Sequence, residues 1–207
     1  VRPVAICQSG TVPIPLDNTG NATILPSLID NGSSDACGIS WMTVSPNTFN
    51  CASQGFPTLT LTVTDINGNT STCTSTAIVY DNAPPIANCQ NINVYLDGSG
   101  NANITPAMVN NGSTDECAIA TMTVAPTSFS CSNTGPNNVT LTIFDTMGAT
   151  DQCTSTVTVL DTTRPVANCQ NITLQLNAAG SASLTPAMIN NGSTDNCGIV
   201  SMSASQN

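Results

Sequence analysis

Leu59-Thr60-Leu61-Thr62-Val63-Thr64 and, further along, Val139-Thr140-Leu141-Thr142-Ile143 read apolar, polar, apolar without a break. Successive side chains of a strand point to opposite faces, so such a run buries one face and wets the other, as a half-buried antiparallel strand does. The run Cys153-Thr154-Ser155-Thr156-Val157-Thr158-Val159 has the same period and puts Cys153 on the face of Val157 and Val159, with its sulfur inward. Asp97-Gly98-Ser99-Gly100 reads as the turn of a hairpin after a strand that ends at Leu96. Thr105-Pro106 opens one helical turn, with Thr105 as N-cap and proline at the first position, and Asn110-Asn111-Gly112 ends it. Short strands with regular turn signals predict an all-β fold of antiparallel sandwiches.

The runs belong to a repeat. Cys37, Cys117 and Cys197 are spaced by 80 residues, as are Cys51 and Cys131, Cys73 and Cys153, and Cys89 and Cys169, while Cys7 precedes Cys89 by 82. Asn111-Gly112-Ser113-Thr114-Asp115 returns as Asn191-Gly192-Ser193-Thr194-Asp195 and is foreshadowed by Asn31-Gly32-Ser33-Ser34-Asp35. A fixed period of this kind marks an array of like units. Residues 1–82 and 83–162 are two full copies, and residues 163–207 are the first half of a third. A sandwich cut in mid-fold exposes edges and core. Either the 207 residues are a window on a longer array, the favoured expectation, or another chain supplies the missing strands.

Composition removes most chemistry. The chain has no histidine, and its only basic side chains are Arg2 and Arg164, so no catalytic triad, Cys-His pair, His-ligated metal or lysine Schiff base can be built. Arg2 and Arg164 precede Pro3 and Pro165 and read as linker residues. The net charge of -10 argues against nucleic acid as a partner, since phosphate binding relies on lysine and arginine. No stretch approaches the roughly 18 apolar residues of a membrane span. Charged residues are few and 40% of the chain is hydrophobic, which is unlike a disordered segment. An enzyme built on paired aspartates ranks last among the functions that survive.

Each full copy holds four cysteines and the half copy two. With one Trp, two Tyr and four Phe in the whole chain, an 80-residue unit buries a modest core and gains from covalent links. Metal ligation fits poorly without histidine or a CxxC spacing. The local pairing Cys7–Cys37, Cys51–Cys73, Cys89–Cys117, Cys131–Cys153 and Cys169–Cys197 is expected. Closing a loop of about 22 residues contributes roughly 3 kcal/mol in the chain-entropy account. Disulfides imply an oxidising, extracellular setting.

Three segments carry a family likeness: Pro165-Val166-Ala167-Asn168-Cys169-Gln170-Asn171-Ile172-Thr173, the run from Asn191 to Cys197, and Asp65-Ile66-Asn67-Gly68-Asn69 ahead of Cys73 and Asp81. Together they resemble the hyalin-repeat type of immunoglobulin-like module, most closely the Thr-rich tandem versions in surface proteins of environmental bacteria. The resemblance implies immunoglobulin-like sandwiches in an extracellular stalk or adhesin, without enzymatic activity. Copy two departs from it at Thr146, Met147 and Ala149, where the Asn-Gly-Asn turn is lost.

Eleven of the twelve acidic residues are aspartates, and several recur at matching places: Asp35, Asp115 and Asp195; Asp65 and Asp145; Asp81 and Asp161; Asp17 and Asp97. Aspartate favours turns through its own side-chain hydrogen bonds, which accounts for many of them. A sharper expectation follows from strand direction. Asp81 should end the last strand of copy one at the pole facing copy two, where the loop of Asn111 and Asp115 and the turn at Asp145 also belong. Asp35, Asp65, Asp161, Asn191 and Asp195 are the matching residues elsewhere. Carboxylates gathered without basic neighbours suit calcium, which takes six to eight oxygens in flexible geometry. The partners expected are neighbouring repeats of the same chain and other copies of the chain in a filament. A structural rod leads, and an adhesive module acting through its loops follows. Trp41, which copy two replaces with Thr121, reads as a packing residue.

Overall fold

A computed structural model describes residues 1–205. In copy one the strands are β1 (Thr11–Pro15), β2 (Asn21–Thr23), β3 (Ile39–Ser45), β4 (Thr48–Asn50), β5 (Thr58–Asp65) and β6 (Thr70–Tyr80). Copy two repeats them as β7 (Ile92–Tyr95), β8 (Asn101–Asn103), β9 (Ile119–Ala125), β10 (Ser128–Ser130), β11 (Gly135–Asp145) and β12 (Thr150–Leu160), with the helical turn α1 (Pro106–Val109) after β8. Each copy is an immunoglobulin-like sandwich of a four-stranded and a two-stranded sheet. The orders are β1-β6-β5-β3 with β2-β4, and β7-β12-β11-β9 with β8-β10.

The long alternating runs form β5, β6, β11 and β12, as their period requires. Leu59, Leu61 and Val63 are wholly buried, and so are Leu141 and Ile143. Ile14, Leu16, Ile24, Ile29, Val44 and Phe49 complete the first core with Ala77 and Val79. The second copy buries the residue 80 positions on at each of these places: Val94, Leu96, Ile104, Val109, Val124, Phe129, Val157 and Val159. One buried phenylalanine in each copy, Phe49 and Phe129, leaves the rest of each core to aliphatic side chains.

Two elements differ from the sequence reading. The sheets are mixed, because β1 runs parallel to β6 from Thr11↔Thr76 to Pro15↔Tyr80, and β7 runs parallel to β12. Asp97-Gly98-Ser99-Gly100 is a tight turn, closed by Asp97 N–H to Asn101 O at 2.8 Å, yet it does not make a hairpin. β7 pairs with β12, whereas β8 pairs with β10, so the turn carries the chain from one sheet to the other. Local sequence fixes a reversal of direction but not which strand each arm joins. The helical turn lies where expected, with Thr105 extended as N-cap and Pro106 at the first position, although the Thr105 side chain makes no capping bond.

Two compact units are formed. The first comprises Val1–Asn88, Gly112–Met122 and Thr142–Gln152, and the second Cys89–Asn111, Thr123–Leu141 and Cys153–Asn207. The first therefore contains all of copy one together with Asp115, Glu116 and Cys117. In the third copy, the described residues form α2 (Pro186–Ile189) and the isolated bridges Val166↔Thr194 and Cys169↔Asn190. Leu176, the counterpart of the buried Leu16 and Leu96, is 68% exposed there.

Candidate functional site: disulfide links and acidic loops

The expected local pairing of cysteines is not formed. The bonds are Cys7–Cys73, Cys51–Cys117, Cys89–Cys153 and Cys131–Cys197, while Cys37 and Cys169 are free and exposed. The parallel pairing of β1 with β6 explains the first of these bonds. It lays the residues before Thr11 beside those before Thr76, and the Ser75 hydroxyl donates to Gln8 O at 3.1 Å. Cys7 and Cys73 come within 5.7 Å, Cα to Cα. Cys89 reaches Cys153 by the same geometry, with Asn91 Oδ1 accepting from Thr156 N–H at 2.8 Å. Each of these bonds ties the first segment of a copy to its last strand.

The other two bonds join a cysteine of one copy to a cysteine of the next, each across 66 residues of sequence. Cys51 follows β4 in a short 3-10 turn whose N-cap, Asn50, accepts from Ala52 N–H, so the sulfur leaves the sheet at a fixed point. Cys117 is held by Asp115, whose Oδ1 accepts from the N–H groups of Cys117 at 3.0 Å and Ala118 at 2.6 Å. Gly20 lies over the bond. A Cβ there would come within 2.6 Å of Cys51 Sγ, and its φ of +71° already disfavours other residues. Gly100 meets Cys131 in the same way.

Asp81 immediately follows β6, one residue past the strand end, and a carboxylate oxygen of each of Asp81, Asp115 and Glu116 lies within 4.8 Å of the others. Asp81 is 5% exposed; its Oδ1 accepts from Ala83 N–H at 3.1 Å. Asp81 Oδ2, Asp115 Oδ2 and Glu116 Oε1 are buried without a hydrogen-bond partner. Burial first, then a side-chain hydrogen bond with Asp81 and the charges of Asp81 and Asp115, hold Glu116 above its ordinary value of 4.5 against a backbone hydrogen bond that lowers it. Glu116 was not among the expected ligands. Its signal was available, since it is the one glutamate in the chain and stands where the third copy has Asn196.

The remaining aspartates mostly shape turns. Asp65 Oδ1 accepts from Asn67 and Asn69 N–H at 2.8 Å, and Asp145 Oδ1 accepts likewise from Met147 and Ala149, so copy two keeps the turn although its sequence differs. Asp65 Oδ2 also accepts from Asn69 Nδ2, and these bonds hold its carboxyl below the usual value of 3.8. Asp145 is not part of the three-carboxylate cluster. Asp35 and Asp195 accept from Cys37 and Cys197 N–H at 2.8 and 2.9 Å. Asp161 Oδ1 accepts from Thr163 N–H and from Asn196 Nδ2 at 3.2 Å. Asn111 and Asn191 follow α1 and α2, and Asn191 N–H donates to Asn168 O. Trp41 is 56% exposed, so it is not a packing residue. It shares the outward face of β3 with Thr43 and Ser45, opposite Val44.

No protein-family model matches the chain, and no curated protein matches it. Among solved structures, the fibronectin(III)-like modules of Clostridium thermocellum CbhA match 76% of this chain and 95% of their own, at 13% identity and a TM-score of 0.28. Human mucin-like protocadherin EC1-2 matches 76% of this chain over its full length, at 12% identity and a TM-score of 0.36. Protocadherin gammaB7 EC3-6 matches 87% of this chain and 55% of its own, at 16% identity and 0.37. The assignment to immunoglobulin-like sandwiches rests on the strand order and burial of the chain itself. Four disulfides place such a protein in an oxidising, extracellular environment.

Proposed function

We propose that the chain is part of an extracellular structural array, a rod or stalk of a surface adhesin of the hyalin-repeat kind, whose successive copies are covalently linked. The units are the copies 1–82, 83–162 and 163–207. The observation that carries this reading is the pair of bonds Cys51–Cys117 and Cys131–Cys197, which recur at the same positions and each reach from one copy to the next. Each bond joins two sequence copies, with both of its cysteines inside one compact unit, Cys51 and Cys117 in the first and Cys131 and Cys197 in the second. A bond to the following copy limits bending and keeps neighbours attached under load. The proline-containing connections Ala83-Pro84-Pro85 and Thr163-Arg164-Pro165 stiffen the backbone at the same places. Calcium enters as a stiffening ion, and the partners are the neighbouring repeats and other copies of the chain.

Electron microscopy of the native assembly tests this. Beaded single-file threads, with a bead spacing of one copy, are expected; compact particles would overturn the rod.

A second reading, an adhesive module, is favoured by one feature. Trp41 lies open beside a groove of 520 Å³ whose walls include Leu25, Pro26, Ile39 and Met42. Exposed tryptophan beside apolar walls is the surface on which a sugar ring or an apolar side chain stacks. On this reading a glycan-array signal appears with the native chain and falls at least tenfold with Trp41→Ala; an unchanged or missing signal counts against it.

A further inference from the structure

We propose that Asp81, Asp115 and Glu116 form a calcium site, and that the matching place one copy later needs no ion because Asn196 replaces the glutamate. This deepens the reading of calcium as a stiffening ion and rests on it.

Proximity of acidic groups is common and by itself says little. Here a separate observation points to a ligand. Asp81 is 95% buried by its 5% exposure, its carboxylate faces the other two, and its Oδ2 has no partner. Asp115 Oδ2 and Glu116 Oε1 are also buried without a partner, on side chains that are themselves only half-buried. Buried polar atoms are nearly always satisfied, and a buried carboxylate without a partner is costly. Three carboxylates, one unsatisfied oxygen on each and no cationic side chain in the cluster make an arrangement that a cation completes. Calcium suits it better than magnesium, because its coordination is flexible and three protein carboxylates can be supplemented by water, whereas magnesium demands near-ideal octahedral geometry.

The next copy supplies an internal control. Asp161, Asp195 and Asn196 stand 80 residues after Asp81, Asp115 and Glu116. The Asn196 amide donates to Asp161 Oδ1 at 3.2 Å and to Asp97 O at 3.0 Å. Asp161 and Asp195 have no unsatisfied buried oxygen; only Asn196 Oδ1 is left so. A neutral donor thus does for Asp161 what the ion does for Asp81, with two negative charges in place of three. The spacing of the aspartates alone makes the two places look equivalent.

A shared proton is the competing way to relieve the first cluster. Asp81 and Asp115 are the titratable groups that face Glu116. Asp17, on the nearby turn that brings Gly20 to Glu116 O, is engaged by Thr19 and Asn21. The folded-state pKa of Glu116 is raised, so protonation stabilises the ion-free fold at low pH, and that gain is lost as pH rises through the raised value. An ion acts in the opposite range, at neutral pH.

The test is calorimetric titration of the full chain with calcium chloride at pH 7, beside thermal melts with calcium or EDTA. One ion per chain is expected, with a dissociation constant of about 0.1–1 mM, the range of extracellular calcium modules, and a melting temperature that rises with calcium. Glu116→Asn, which copies the second place into the first, should fold in EDTA, weaken binding at least tenfold and abolish the melting shift. Asn196→Glu should raise the stoichiometry from one to two. Absence of heat and of any melting shift in the native chain would remove both this site and calcium from the functional reading. Full-strength binding that persists in Glu116→Asn would overturn the residue assignment while leaving calcium elsewhere on the chain. A melting shift with pH but none with calcium would assign the cluster to a proton.

Discussion

A chain with a specific protease site inserted between Ala83 and Pro84, once cut, is expected to run as a single band on a denaturing gel without reductant and as two bands with it. The insertion lies between the two full copies, and among the four bonds only Cys51–Cys117 crosses it. A denaturant dissolves every non-covalent contact, so nothing but that sulfur bridge can hold the fragments together. Cys117→Ser removes the bridge and should release the fragments without reductant, an all-or-none change. Blocking thiols before denaturation keeps the free Cys37 and Cys169 from exchanging into new bonds. Fragments that separate at once from the native sequence would return the chain to bonds confined within copies, and would remove the observation on which the proposed array rests.

The second large effect concerns folding. Cys7–Cys73 spans 66 residues, nearly the whole of copy one. Closing a loop of that length restricts the unfolded chain by about 4 kcal/mol in the chain-entropy account, against roughly 3 for a 22-residue loop. Domains of this size are stable by only about 5–15 kcal/mol, so the bond is a large share of the total. The double variant Cys7→Ala with Cys73→Ala should shift the urea unfolding transition of copy one by about 4 kcal/mol. The transition of copy two, held by Cys89–Cys153, should change little. A loss under about 1 kcal/mol would show that the aliphatic core holds copy one unaided. The same bond has a mechanical consequence, because β1 and β6 carry the two ends of the copy and pair in parallel. A load applied to the ends meets a covalent clamp before it reaches the core.

The candidate site was legible in part. Asp81 and Asp115 could be brought together from strand direction alone, since a strand of known length ends at a known pole. Strand direction assigns Asp145 to the same group on equal grounds; its Oδ2 is likewise buried without a partner, but its carboxylate stands outside the cluster of Asp81, Asp115 and Glu116. Glu116 does not recur, and its single occurrence is what distinguishes the two places. Residue type alone reads Trp41 as packing. Its parity against Met42 and Val44 on β3 puts it outward, and that parity was readable.

The sequence by itself determined the period of 80, the all-β class, the alternating strands with their buried faces, the helical turn after Pro106 and the exclusion of most catalytic chemistry. All of these follow from the spacing of side chains along a strand or from residue types that are missing. Only the tertiary structure decided which cysteines pair, that β1 and β7 join their sheets in parallel, and that the turn at Asp97 passes between sheets. These depend on which segments become neighbours across 64 to 66 residues of intervening chain. Local spacing carries no record of that choice, because a cysteine near in sequence and one near in space look alike until the strands have been ordered.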